Sequence, residues 1–184
     1  PLVHDKSLFS MSLMPSDNPG TSYGGNPSDY LWDNNSLWSG NDAFGYHSGE
    51  NAVPGHFTID LGVTTQLTKC KLHFRDPNNF SGNNPTQLEI WGRPTLEDAE
   101  TLPVFQSVGN TVLSDPVSTE SFENSGWQLL ADQSIDGGGL QNIEFDLPSG
   151  PFSRYIRLRY TSTVGNQAFQ LIEVELSGYG AITN

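Results

Sequence analysis

The sequence predicts an all-β fold, an antiparallel β-sandwich, from three observations. Short runs of alternating apolar and polar residues recur along the chain, as half-buried strands require. The stretches between them are crowded with Gly, Pro, Asn and Asp, the residues of turns. Without helices between them the strands have no right-handed βαβ crossovers, so they pair antiparallel and a second sheet closes the core. At 184 residues the chain is sized for one domain.

Taken in order, residues 1–50 are the loop-rich N-terminal part of that domain and residues 51–180 are the sandwich. Tyr30, Trp32, Trp38, Phe44 and Tyr46 make the N-terminal part too apolar for a free linker, so it is expected to wrap on the sandwich. Phe57-Thr-Ile-Asp-Leu61 and Thr68-Lys-Cys-Lys-Leu-His-Phe-Arg75 are strands, Pro77 to Pro85 is a loop, and Leu88-Glu-Ile-Trp91 is a strand. Thr95-Leu-Glu-Asp-Ala-Glu100, capped by Thr95 and ending before Pro103, is the best helical candidate. Ile143-Glu-Phe-Asp-Leu147, Arg154-Tyr-Ile-Arg-Leu-Arg-Tyr160 and Leu171-Ile-Glu-Val-Glu-Leu176 complete the strands. Parity turns Phe57, Ile59, Leu61, Cys70, Leu72, Phe74, Leu88, Ile90, Ile143, Phe145, Leu147, Ile156, Leu158, Ile172, Val174 and Leu176 inward. It turns Lys69, Lys71, His73, Glu144, Asp146, Arg157, Arg159, Glu173 and Glu175 outward.

Charge narrows the partners. With 21 Asp and Glu against 8 Lys and Arg, the net charge of −13 repels phosphate backbones and anionic lipid, which argues against nucleic acid. A neutral glycan does not feel that field, and a divalent cation is drawn to it. No apolar run approaches the ~18 residues of a membrane span, so no membrane insertion is expected. The single cysteine, Cys70, sits in an apolar strand phase and reads as a buried free thiol. The chain starts at Pro1 without a signal-like segment, which suggests a piece of a longer protein.

Catalytic motifs are weak. Gly20-Thr-Ser-Tyr-Gly24 has the letters of a nucleophile elbow but lies between Pro19 and Pro27, where the required strand and helix are lacking. The histidines at 4, 47, 56 and 73 have no zinc-ligand spacing. A glycosidase needs paired carboxyls across a cleft, whereas most acids here fall on outward strand positions and read as cross-strand ion pairs or solvated charges. Asn34-Asn-Ser36 and Asn79-Phe-Ser81 match the glycosylation triplet and indicate only exposed loops. The expectation is a non-enzyme.

Six pieces in a fixed order carry a resemblance: Leu31-Trp-Asp-Asn34, Tyr46-His-Ser48, Phe57-Thr-Ile-Asp-Leu-Gly62 with Arg75, Trp127-Gln-Leu-Leu130, Arg154-Tyr-Ile-Arg-Leu158, and Ile172-Glu-Val-Glu-Leu176 before Gly178. The chain resembles the discoidin or coagulation-factor C-type domain, the galactose-binding-like jelly roll. That superfamily includes family 32 carbohydrate-binding modules and the C-terminal domains of bacterial glycan-handling surface lipoproteins. Residues 92–126 match less well and read as an insertion.

The resemblance implies a non-catalytic module that binds carbohydrate through loops at one end of the sandwich. His47, Arg75 and Asn79 are the expected hydrogen-bonding residues, and Phe169 is the expected stacking face. It also implies a structural Ca²⁺ held by Asp33 and Glu173, since the ion takes six to eight oxygens and two carboxylates with loop carbonyls supply them. The family's usual Asp-Gly is Asp-Asn here, and its Thr-x-Trp aligns either with Ser36-Leu-Trp38 or with Phe44-Gly-Tyr46. The implied location is extracellular or on the cell surface, as an outer-membrane lipoprotein or in the periplasm, joined to other domains of a parent protein. A structural role stands beside each site residue: Arg75 pairing a loop acid, His47 satisfying a carbonyl, Phe169 in the core, and Asn79 in turn chemistry. The rival reading is a protein-interaction or spacer domain with no sugar ligand.

Overall fold

A computed structural model describes residues 2–182 except 22–25, 37–44, 98–101, 103–104, 109–110, 113–118, 149 and 166. The strands are β1 (Leu2–Val3), β2 (Ser10–Met11), β3 (Tyr46–His47), β4 (Gly55–His73), β5 (Pro85–Arg93), β6 (Ser107–Val108), β7 (Thr111–Val112), β8 (Gln128–Ser134), β9 (Asn142–Asp146), β10 (Ser153–Thr163), β11 (Gln170–Leu171) and β12 (Glu173–Ile182). Two short helices, α1 (Pro77–Phe80) and α2 (Thr119–Asn124), interrupt them. Every strand pairing is antiparallel. No helix among the described residues is long and apolar enough to cross a membrane.

The two strands expected over residues 57–61 and 68–75 are one strand of 19 residues, β4, shared by both halves of the sandwich. Its first part, Gly55–Asp60, pairs with β10, which continues through β5 to β8, while β2 lies on the same stretch at Asp60 and Ile59. Its second part pairs with β12 on one side and β9 on the other, and β12 pairs in turn with β1. The switch falls near Gly62, whose φ of 72° lies in the left-handed region and whose absent Cβ would stand 2.8 Å from the Leu8 carbonyl oxygen.

The inward positions named above are buried in, or packed against, the core, with Phe57, Leu61, Cys70, Leu72, Phe74 and Leu88 fully enclosed and Ile143 and Phe145 partly covered. Cys70 is a buried free thiol whose titration burial pushes up. Tyr46 stacks on Phe57 at 4.2 Å, Tyr160 stacks on Phe169 at 4.3 Å, and the two tyrosine hydroxyls meet at 3.1 Å beside Asn18. These rings tie the N-terminal part to the β4–β10 half of the core and to the segment before β11, and their polar tips stay hydrogen-bonded as burial requires.

Four outward assignments need correction, because Arg157, Arg159, His73 and Glu173 are all buried. The strand parity is right, but the outer face of β5 and β10 is covered by a second apolar cluster of Trp91, Leu102, Phe122 and Trp127. Arg157 lies under it with its guanidinium 4.4 Å from the Trp127 ring, ion-paired to Asp17 at 3.2 Å and bonded to Thr58 at 3.1 Å. Arg159 pairs with Glu89 at 2.9 Å, and the same carboxylate accepts from the Trp91 indole at 2.7 Å. Of the helix expected over residues 95–100, the described part is not helical, with Thr95 and Leu96 in no regular structure and Glu97 in a turn, and residues 98–100 lie outside the described residues.

Urea unfolding and thermal melting check the buried ion pairs and the turn at Gly62. Removing the Asp17 carboxylate leaves Arg157 charged in an apolar enclosure, so Asp17→Ala is expected to lower stability by about 3–5 kcal/mol in urea unfolding. Gly62→Ala, strained by positive φ and crowded by Leu8, is expected to cost roughly 1–3 kcal/mol in the same assay. His56 contacts Ser16 Oγ at 2.8 Å and Asp17 at 3.5 Å, and burial, then Arg157 and Arg159, hold its imidazole well below the ordinary 6.5. The unfolded chain binds that proton more readily, so His56 contributes its full stability above about pH 6.5 and loses it as the pH falls toward the depressed folded value. The melting temperature is therefore expected to decline from pH 7 to pH 5, with the decline flattened in His56→Gln.

Candidate functional site

The end of the sandwich where β4 gives way to α1 collects polar side chains from four separate stretches. Phe74 donates its amide to the Gln141 carbonyl at 2.7 Å, which carries β4 straight into Arg75. Asp76 then caps α1 by accepting from the Asn78 amide at 2.9 Å, with Pro77 at the first helical position, where its missing N–H is not needed. Asn84 is fully buried and donates its side-chain amide to the Arg75 carbonyl at 2.9 Å, folding the 76–84 loop back on the strand end.

Opposite this loop, His47 is held from both sides. Its backbone exchanges hydrogen bonds with Thr21 at 2.8 and 2.9 Å, and it stands in register with Gln170 of β11. The Gly49 amide donates to His47 Nδ1 at 3.0 Å, which fixes the neutral tautomer with its proton on Nε2. Nε2 lies 3.2 Å from Asn83 Nδ2; because Nδ1 already accepts from Gly49, the carboxamide is assigned the flipped orientation, with its oxygen accepting the Nε2 proton. Arg75 Nη1 donates to Gln170 Oε1 at 2.9 Å. Burial, then the neighbouring Arg75 charge, hold His47 below its ordinary value against the upward pull of Glu50. At neutral pH the cluster therefore holds a neutral imidazole, a guanidinium and the Asn83 carboxamide, a set matched to hydroxyl groups rather than to anions alone, while Gln170, 1% exposed, orients Arg75 from beneath.

The expected site residues divide accordingly. His47 and Arg75 come together, although His47 is only 7% exposed and presents little more than an edge. Asn79 lies within α1 beside this cluster in sequence, and its side chain is outside the description. Phe169 is corrected: it is fully enclosed and stacks on Tyr160, so its face is not open to a pyranose. Sequence reading missed Asn83 and Gln170. Asn83 was hidden among the asparagines of a turn-rich loop, and Gln170 gave the one available signal as a polar residue directly after Phe169.

The second expected site lies elsewhere. Asp33 is exposed, and its Oδ1 accepts from the Asn35 amide at 2.7 Å. Glu173 opens β12 and is 1% exposed. Its Oε1 accepts from the Asn34 amide at 3.2 Å and is ion-paired with the Lys6 ammonium, while Oε2 has no hydrogen-bonding partner. Burial pushes this carboxyl up to about 7 despite Lys6 and the Asn34 amide, and the Asp33 charge adds to the push. A divalent ion at this carboxylate would stand against the Lys6 ammonium already paired with Oε1. No group of three or more His, Cys, Asp or Glu converges on one point among the described residues. With Lys6 in this position, the arrangement does not fit Ca²⁺.

Among solved structures the chain is similar to a SusE-like protein, with a TM-score of 0.70 and 22% identity over 96% of this chain and 100% of the other. It is similar to the family 32 carbohydrate-binding module from C. perfringens NanJ, solved in complex with galactose, with a TM-score of 0.56 and 16% identity over 95% and 96% of the two chains. It is also similar to the C-terminal domain of a chitobiase from Bacteroides fragilis, with a TM-score of 0.61 and 14% identity over 98% and 99%. No curated protein sequence matches. The fold is thus the galactose-binding-like sandwich of family 32 carbohydrate-binding modules and discoidin-like domains. A family model described as a domain of unknown function, DUF5000, matches residues 32–180, and the chain belongs to that family.

Proposed function

We propose that this domain is a non-catalytic carbohydrate-binding module of a larger protein at the bacterial surface or outside the cell, and that it binds sugar at the rim holding His47, Arg75, Asn83 and Gln170. The observation that carries the reading is the meeting of these four side chains from β3, the end of β4, the turn before β5, and β11. Arg75 and Gln170 orient each other, as do His47 and Asn83, so the donors and acceptors are fixed before a ligand arrives. Such a shallow, preorganised set suits one or two sugar units at modest affinity. Similarity of fold to carbohydrate-binding modules supports the reading.

A glycan array followed by calorimetry tests it. The native domain is expected to bind at least one glycan, and Arg75→Ala is expected to reduce that affinity by more than tenfold while circular dichroism shows the sandwich intact. Absence of binding to any glycan would favour a protein-interaction or spacer role. Phe169→Leu is expected to lower the melting temperature and to leave the affinity of the folded fraction unchanged, because the ring packs in the core. Affinity is expected to hold from pH 8 to about 6.5 and to fall below that. Protonating His47 Nδ1 removes the acceptor for the Gly49 amide and places a second positive charge beside Arg75.

A further inference from the structure

The N-terminal segment meets the last strand at one enclosed ion pair. Leu2 and Val3 pair with Gly178 and Ser177, and the His4 amide donates to the Leu176 carbonyl at 2.9 Å. Beyond the next turn, Ser10 and Met11 pair with Asp60 and Ile59. Between these anchors, Asp5 caps the single 3-10 turn Lys6–Leu8 by accepting from the Ser7 amide at 3.0 Å. Backbone pairing on both sides therefore sets where Lys6 stands, and its side chain is 10% exposed against 1% for Glu173.

Three further observations converge there. Glu173 Oε1 already receives the Asn34 amide, so the ammonium completes the bonding of that oxygen while Oε2 stays without a hydrogen-bonding partner. The Val174 amide donates to the Leu31 carbonyl at 2.8 Å, so the loop carrying Asp33 is docked on the same strand. A hollow of about 200 Å³ opens beside the pair, lined by Lys6, Asn34, Ser36, Glu173 and Glu175. Glu175 is bonded to His73 at 2.7 Å and lies 3.7 Å from Lys71, so its charge is balanced from its own side of the sheet.

We infer that the Lys6 ammonium is the resident cation of this slot, standing where the family resemblance implies a divalent metal and making closure of the N-terminal segment on β12 independent of metal. One positive charge answers the one enclosed carboxylate, and the same contact joins the segment to the strand. Cutting Lys6 back to alanine would remove the cation from an enclosed carboxyl and leave Glu173, Asn34, Ser36 and Glu175 lining the hollow, oxygen donors of the kind a hard divalent cation takes once the carboxyl gives up its proton. The inference is independent of the sugar reading.

Thermal melts of the native domain, Lys6→Met and Lys6→Ala, each in EDTA and in millimolar CaCl₂, test it. The native melting temperature is expected to be the same in both. Lys6→Met, which keeps the apolar stem and removes the charge, is expected to melt roughly 5–15 °C lower in either buffer. Lys6→Ala is expected to be destabilised in EDTA and to recover part of the loss in calcium, with the recovery abolished by adding Glu173→Gln. A native melting temperature that falls in EDTA, or stoichiometric calcium by elemental analysis of the native domain, would overturn the inference. A Lys6→Met protein as stable as the native one, or a Lys6→Ala protein indifferent to calcium, would overturn it equally. Should either variant fail to fold, Glu173→Gln in the native background is expected to speed hydrogen exchange selectively over residues 2–11, and unchanged exchange there would count against it.

Discussion

The structure depends on one strand that belongs to both sheets. β4 hydrogen-bonds to β2 and β10 along its first part and to β12 and β9 along its second, so both halves of the core are fixed by a single continuous backbone. A strand can serve both halves only if it turns between them, and Gly62 supplies the positive φ at the turn while letting Leu8 approach. Both polar regions then follow from the two ends of β4. Its start places His56 against Asp17 and the arginines of β10, and its end delivers Arg75 to the rim.

The distribution of charge shows how burial and polarity are reconciled. An enclosed guanidinium is costly unless paired, and Arg157 has Asp17, Thr58 and the face of Trp127, while Arg159 has Glu89. Lys6 and Glu173 solve the same problem at the opposite sheet. In a chain of net charge −13, the few cations are thus placed where single enclosed carboxylates need them rather than spread on the surface alone. The rim differs in kind. Its polar groups are carboxamides, a neutral imidazole and one guanidinium bonded to an amide oxygen, so it presents directed hydrogen bonds with little opposing charge.

Much of the fold was legible because strand parity is local. Alternation from Phe57 to Leu61 and from Ile156 to Leu158 reports which side chains share a face, whatever lies on the other side. The family resemblance implies His47 and Arg75 at one end, and the fold brings them together. Phe169 was misplaced because an aromatic before a strand is equally suited to a sugar face and to a core, and only its stack on Tyr160 distinguishes the two. Asn83 carries no distinguishing local signal and Gln170 only its place directly after Phe169, since their partners lie 36 and 95 residues away in the chain.

By itself the sequence determined the all-β class and the inward face of each main strand, since these rest on periodicity and composition. Tertiary structure alone decided that the outward face of β10 is roofed by Trp127 and Phe122, that the runs at 57–61 and 68–75 are one strand, and that Glu173 meets a lysine 167 residues before it. The reason is physical. Parity says which way a side chain points, but whether water, an aromatic ring or an ammonium waits there depends on chain segments whose arrival local pattern does not encode.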